Sequence, residues 1–309
     1  MAFFDRLRER IRATDGMLSI GLNPDLARLP DDCREYDYPR RAFNRRIIDA
    51  THDHAAAYAV TPAFYADAEG WTAMAETVAL AHGRGVPVVL DAKYSDVPNP
   101  DAELLDSVDA VTVSPYLGRD ALAPLLDGDS GRSEGLGVFV TCRTPNAGAT
   151  DLQDRDLAGE EREAEPTEEG DGEEETTRGD DEERATLAHG VADLAASWAD
   201  DAAADVGLLV GGPSEAVESL RERAPGLPFL VVGGARNDPE VAAHAVSEGG
   251  EGVAPHRGAG EAVGLVETSR EVLYAGETAG RGRRRGQDDY AAAARESARR
   301  LKRQLNRHR

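Results

Sequence analysis

Short apolar, β-branched runs recur along the chain, separated by longer stretches whose apolar residues repeat with a helical period. The runs predict strands at Met17–Leu22, Ala56–Thr61, Val86–Asp91, Ala110–Val113, Leu136–Cys142, Val206–Val210, Phe229–Val232 and Ala262–Val266. Helices are expected near 40–55, 71–84, 101–107, 119–127, 184–200, 214–224 and 238–248. One further helix precedes the first strand (3–13) and one follows the last (288–306). Strands apolar on both faces and alternating with helices imply a parallel sheet covered on both sides. Eight repeats of that unit predict an α/β fold of the (β/α)8, TIM-barrel type. A doubly wound open sheet has the same alternation and is the runner-up.

Two segments break the pattern. Residues 158–184 carry 14 acids between Glu160 and Glu183, with Gly, Thr and Pro among them and no large apolar residue. Such a stretch buries too little to offset its ordering entropy, so a disordered acidic insertion is expected after strand five. Arg281–Gly286 reads as a flexible basic loop before a basic last helix, whose cations suit a helix C-terminus. The expected organisation is one barrel over 1–279, interrupted at 158–184, then a basic loop and helix over 280–309. A length of 309 residues suits a single barrel.

Charge narrows the choice of partners. The chain has 58 Asp plus Glu against 35 Lys plus Arg, a net charge of −23. Only Lys93 and Lys302 are lysines. Phosphate repulsion makes nucleic acid an unexpected partner. Acid richness with almost no lysine is the surface of a protein adapted to molar salt, so most single acids are read as solvating groups. No apolar stretch is long enough to span a membrane, and the N-terminus lacks an apolar leader core. Cys33 and Cys142 cannot form a disulfide framework. A reduced, cytoplasmic protein is expected.

In a barrel of this kind, chemistry lies at the C-terminal ends of the strands. Asp91-Ala92-Lys93-Tyr94-Ser95-Asp96 is the most informative of those ends. Residues i and i+2 of a strand share a side, which aims Asp91 and Lys93 together at the barrel mouth. Carboxylates on either side favour the ammonium form, making Lys93 a proton donor. A strand-end salt bridge is the plainer alternative, but in a chain this poor in lysine the functional reading is preferred. Gly233, Gly234, Ser269 and Arg270, at the ends of strands seven and eight, suit the phosphate site usual in such barrels. The histidines show no metal-site spacing, so no metal is expected. Cys142 reads as a small core residue.

The strand ends and the segments beside them read Gly21-Leu22-Asn23-Pro24-Asp25, Ala63-Phe64-Tyr65, Asp91-Ala92-Lys93, Thr112–Asp120, Val138–Thr144, Asp151-Leu152-Gln153 and Ser269-Arg270. Taken together, these stretches resemble orotidine 5′-phosphate decarboxylases. The resemblance covers most of residues 1–279 outside the acidic segment. It implies a homodimeric barrel without cofactor or metal that converts orotidine 5′-monophosphate to UMP in pyrimidine synthesis. Asp91 would face the substrate carboxylate, Lys93 would stabilise and protonate the C6 carbanion, and Asp96 would reach the neighbouring site. Asn23, Thr144 and Asn146 would contact substrate, and Arg270 the 5′-phosphate. The chain departs from the family pattern at several strand ends. Ala59 stands where a network lysine is expected, Asn23 replaces a ribose-binding aspartate, and Pro145 replaces a serine near the pyrimidine. Arg236 replaces a phosphate-gripping glutamine, and Pro100 a threonine. These departures leave a second reading open, a diverged paralogue that binds a nucleotide phosphate with impaired catalysis. A related magnesium-dependent sugar-phosphate lyase is disfavoured, because Asn23 and Ala59 are not acidic ligands.

Overall fold

The computed structural model describes residues 1–96, 103–127, 135–157, 185–233, 238–246, 264–279 and 289–308. The acidic segment 158–184, the basic loop 281–286, Pro100, Gly234 and Arg236 lie outside the described residues.

Eight parallel strands form a closed barrel in sequence order. They are β1 (Leu18–Gly21), β2 (Ala57–Val60), β3 (Val88–Tyr94), β4 (Ala110–Val113), β5 (Gly137–Thr141), β6 (Asp205–Val210), β7 (Phe229–Val232) and β8 (Leu265–Thr268). The ring closes through β1 and β8, with Ser19 opposite Glu267 and Ile20 opposite Thr268. That pairing excludes the open sheet. The last strand lies further along the chain than its apolar run suggests, because β8 continues through the polar pair Glu267-Thr268.

Main helices cover the outside: α2 (Pro39–Thr51), α3 (Gly70–Gly83), α4 (Arg119–Leu126), α5 (Leu187–Asp201), α6 (Ser214–Arg223) and α7 (Pro239–Val246). Strand alternation divides the apolar residues into two sets. Leu18, Ile20, Val88, Leu90, Val111, Val138, Leu208 and Val266 pack outward beneath the helices. Ala57, Ala59, Val89, Ala110, Phe139, Leu209, Leu230 and Leu265 pack inward.

The N-terminal helix α1 (Phe3–Thr14) closes the bottom of the barrel with Phe3, Phe4, Leu7 and Ile11. Phe3, Phe4 and Phe139 meet edge to face at centroid distances of 5.2, 6.0 and 5.7 Å. Gly137 and Gly207 make room for these rings, since a Cβ at either would press on an aromatic ring. Removing each ring from water contributes about 1.5–3 kcal/mol.

The last helix, α8 (Asp289–Leu305), lies on the same body. Ala294, Ala298, Leu301 and Leu305 are buried, and Tyr290 stacks on Phe43 of α2 at 5.4 Å. Its cations engage this chain's own groups. Arg300 pairs with Glu271 at 2.6 Å, and the Lys302 ammonium donates to the Thr14 carbonyl at the end of α1. Cys33 is buried with its Sγ 3.0 Å from the Tyr290 hydroxyl. No helix among the described residues is long and apolar enough to cross a membrane.

Candidate active site

The ends of the strands gather polar side chains above the apolar floor. On β3 the register slips: Leu90 pairs with Val111 and Tyr94 with Val113, so β3 has two extra residues opposite β4. Asp91, Ala92 and Lys93 form this bulge. Lys93 takes φ +50°, a left-handed conformation that costs a non-glycine residue about 1–2 kcal/mol. Bulges re-aim side chains beside functional sites, and this one turns the lysine back on its neighbour. The Lys93 Nζ lies 2.6 and 2.7 Å from the two Asp91 carboxylate oxygens. Plain strand alternation therefore gave the right pair for an incomplete reason. The two side chains meet through a bulge rather than through i, i+2 pleating.

Thr112 of β4 holds the bulge. Its Oγ1 accepts from the Lys93 backbone N–H at 2.9 Å and donates to Asp91 Oδ1 at 2.9 Å. The Thr61 hydroxyl donates to Asp91 Oδ2 at 3.4 Å. Asp91 is largely covered, with 12% side-chain exposure, while Lys93 keeps 42%. The ammonium is thus fixed on one side and open to the mouth on the other. Asp96 is exposed in the loop beyond β3.

On the β1 and β8 side, Asn23 accepts from the Thr61 backbone N–H at 2.9 Å. Ser269 donates to the Gly21 carbonyl at 2.9 Å, tying the end of β8 to β1. Arg270 is exposed at the start of the short helix Arg270–Leu273. Gly233, at the end of β7, has φ +75°, and a Cβ there would lie 3.3 Å from Pro145 Cβ. Glycine thus serves both the turn and the close approach to the β5 loop.

That loop is braced internally. The Thr144 hydroxyl donates to Asn146 Oδ1 at 2.6 Å, and the Thr144 backbone N–H donates to Gln153 Oε1 at 2.7 Å. Arg143 looks like a mouth residue in the sequence, but it is buried. It donates two parallel hydrogen bonds to the Asp154 carboxylate at 2.7 and 2.8 Å and one to the Gly211 carbonyl at 2.8 Å. The guanidinium holds the Asp154 carboxyl below its usual range. Cys142 donates to the Ala188 carbonyl at 3.1 Å, and burial pushes its thiol up to about 12. It is a core residue, not a nucleophile. Asp156 and Thr186 form an antiparallel bridge where the chain enters and leaves the acidic segment.

Of the residues singled out in the sequence, Asp91 and Lys93 bond directly. Asn23 and Ser269 reach the same mouth from β1 and β8. Thr144, Asn146 and Gly233 line the part built by β5 and β7. Sequence reasoning missed Glu267. Burial inside the barrel pushes its carboxyl up to about 8, with Asp91 adding to the rise and Lys93 opposing it. Its Oε2 is covered and has no hydrogen-bond partner among the described residues. The available signal was a charged residue with the same strand parity as Leu265 and Ser269.

Comparison with known proteins agrees with this architecture. The profile of the Orotidine 5′-phosphate decarboxylase / HUMPS family matches residues 36–173. The orotidine 5′-phosphate decarboxylase of Halorubrum lacusprofundi is 44% identical over 318 residues, covering 100% of both chains. That of Halobacterium salinarum is 43% identical over 316 residues, again covering 100% of both. Among solved structures, the OMP decarboxylase of Leishmania donovani matches with a TM-score of 0.67 and 28% identity, covering 100% of this chain and 98% of that one. Full-length identity at that level, on a closed barrel with Asp91 and Lys93 paired at its mouth, means that the chain belongs to the orotidine 5′-phosphate decarboxylase family.

Proposed function

We propose that this protein decarboxylates orotidine 5′-monophosphate to UMP, the closing step of pyrimidine nucleotide synthesis, with Lys93 as the proton donor. The observation that carries the reading is the Lys93–Asp91 pair. It presents a fixed ammonium at the mouth of a barrel whose full-length relatives are named for this reaction.

In the reaction the bond between C6 and the carboxylate carbon breaks, carbon dioxide leaves, and the electron pair stays on C6. Asp91 crowds the departing carboxylate, and the Lys93 ammonium faces the developing negative charge. Charge placed in advance where the transition state needs it is an effective source of rate. The Lys93 Nζ then gives a proton to C6 and regains one from water. Asn23, Thr144 and Asn146 hold the sugar and ring, while Gly233, Ser269 and Arg270 hold the 5′-phosphate. Gly234 and Arg236, which the sequence assigns to the same role, lie outside the described residues. Asp96 serves the neighbouring site of a homodimer. The chemistry needs no metal or organic cofactor, and the protein works in the cytoplasm on a nucleotide, without nucleic acid.

A specific observation favours a second reading, an impaired paralogue that binds a nucleotide phosphate. Ala59, where the resemblance leads one to expect a lysine, is fully buried among inward apolar side chains, so β2 supplies no charge at that position.

The test is an absorbance assay of orotidine 5′-monophosphate loss in molar KCl, run beside Lys93→Ala. Turnover that disappears in the variant supports the decarboxylase. No turnover from folded protein that still binds UMP supports the second reading.

A further inference from the structure

Glu267 plays no part in the reaction above, yet it lies inside the same mouth. Strand parity puts Leu265, Glu267 and Ser269 on one side of β8. Leu265 belongs to the inner apolar floor, and Ser269 bonds the Gly21 carbonyl at the rim. The Glu267 carboxyl occupies the layer between them. Its register neighbours are Ser19 on β1 and Val232 on β7, neither of them charged. A Cβ built on Gly21 would lie 3.1 Å from Glu267 Oε1 and 3.2 Å from Asn23 Nδ2, so the carboxyl and the amide share one space under the end of β1.

The charged groups acting on Glu267 come from β3. They are Asp91, which repels its anion, and Lys93, which attracts it. The ammonium is already shared between both oxygens of Asp91. Across the barrel, β2 offers Ala59 and no cation. Among the described residues, Glu267 Oε2 has no hydrogen-bond partner, and neither has the hydroxyl of Ser19, its register partner on β1. An ionised carboxylate here would keep one covered oxygen without a donor and face Asp91, with a cation already engaged elsewhere, and that favours keeping the proton.

We infer that Glu267 is a neutral carboxylic acid in the substrate chamber, and that its O–H donates a hydrogen bond to a carbonyl oxygen of the bound pyrimidine. This deepens the nucleotide reading of the site and rests on it. With Glu267 protonated, the charges of Asp91 and Lys93 cancel within this cluster of three. Once the proton is lost, a donor becomes an acceptor facing a carbonyl, and the cluster carries one net negative charge. Ligand binding and proton retention are therefore linked.

The experiment pairs two measurements on full-length protein in molar KCl. The first is the infrared difference between wild type and Glu267→Gln. It should show a protonated-carboxyl stretch at neutral pH that fades as pH rises through about 8. The second is UMP affinity against pH. Wild type should bind about tenfold more weakly at about pH 9 than at about pH 7. Glu267→Gln keeps a donor that does not titrate, so its affinity should stay flat over that interval, whatever its value at neutral pH. A missing carboxyl band overturns the inference, as does the same pH dependence in both proteins. If the band is present but UMP binds neither protein at any pH, the nucleotide reading fails and the donor role with it. The infrared result would then still establish the neutral acid. The band is read on wild type, so poor folding of the variant is detected separately.

Discussion

Lys93 bonds the residue two before it in the chain. Its ammonium sits 2.6 and 2.7 Å from the two Asp91 oxygens, while its own backbone lies in the left-handed region at φ +50°. The bulge that creates this contact is held by the Thr112 hydroxyl, which binds Lys93 through its backbone and Asp91 through its side chain. Position and strain therefore come from the same three residues.

This arrangement separates the cost of the backbone from the use of the side chain. Lys93→Ala and Lys93→Gly both remove the ammonium, and both should lower kcat by at least about 10²–10⁴-fold. They should differ in stability. Glycine normally costs a strand or helix about 0.5–1 kcal/mol relative to alanine, but at φ +50° the preference reverses. Lys93→Gly should be more stable than Lys93→Ala by about 1 kcal/mol. Denaturant melts of the two variants check the sign. A less stable glycine variant would mean that residue 93 is not left-handed in solution.

The Arg143–Asp154 pair should be a stability element that shapes the site from beneath. The Arg143 side chain is 7% exposed and that of Asp154 31%. Removing one member of a buried pair typically costs about 3–5 kcal/mol, and the partial exposure of Asp154 puts Arg143→Met near the lower end. The arginine depresses the aspartate's folded pKa, so the pair's contribution is present above the usual carboxylate range. It is lost as pH falls through the folded value. Arg143→Met should therefore flatten the acid limb of the stability curve. Melts between about pH 3 and pH 7 would show it, and an unchanged acid limb would remove Asp154 from the account.

The barrel was legible in the sequence because each of the eight strands contains a short apolar run, and amphipathic stretches separate them. The Asp91/Lys93 pair was legible because a lysine is conspicuous among 33 arginines. What escaped reading depends on register and long-range contact. Glu267 fell outside the apolar run taken for the last strand. Pairing with Ser19 on one side and Val232 on the other shows that β8 continues through it and turns it inward. Arg143 follows an apolar strand just as a mouth residue would, and nothing local shows that Gly211 and Asp154 draw it into the wall. The left-handed Lys93 follows from a slip against β4, which periodicity within β3 cannot reveal.

At the bottom of the barrel, His82 should make stability depend on pH in the opposite sense from Asp154. Its Nε2 lies 2.8 Å from Asp109 Oδ2, and this bond raises the imidazole pKa against the effect of burial. Burial pushes the Asp109 carboxyl upward, but the His82 bond, the Val88 N–H and Arg6 outweigh it and leave it lowered. A raised histidine pKa contributes fully below its unfolded value and is lost as pH rises through the folded one. His82→Asn should therefore cost most in mildly acidic buffer and less in alkaline buffer. His82 is 40% exposed on its side chain, so the difference should stay below about 1 kcal/mol. A cost that grew with pH would contradict the charged pair.

Salt should stabilise the fold, and the balance of charges gives the direction. Salt weakens the arginine–carboxylate pairs, and exposed pairs contribute only about 0–1 kcal/mol each. Salt also weakens repulsion within a chain of net charge −23, where acids outnumber bases 58 to 35. No rearrangement of the arginines can pair the surplus, so relief of repulsion outweighs loss of pairs. The melting temperature should rise steeply as KCl increases. Screening also sets the shape of the curve. The Debye length falls from about 10 Å at 0.1 M to about 3 Å at 1 M, so most of the gain should be complete near 1 M. A steady rise continuing far beyond that concentration would point instead to salt exclusion strengthening burial. A fall would mean that the ion pairs dominate.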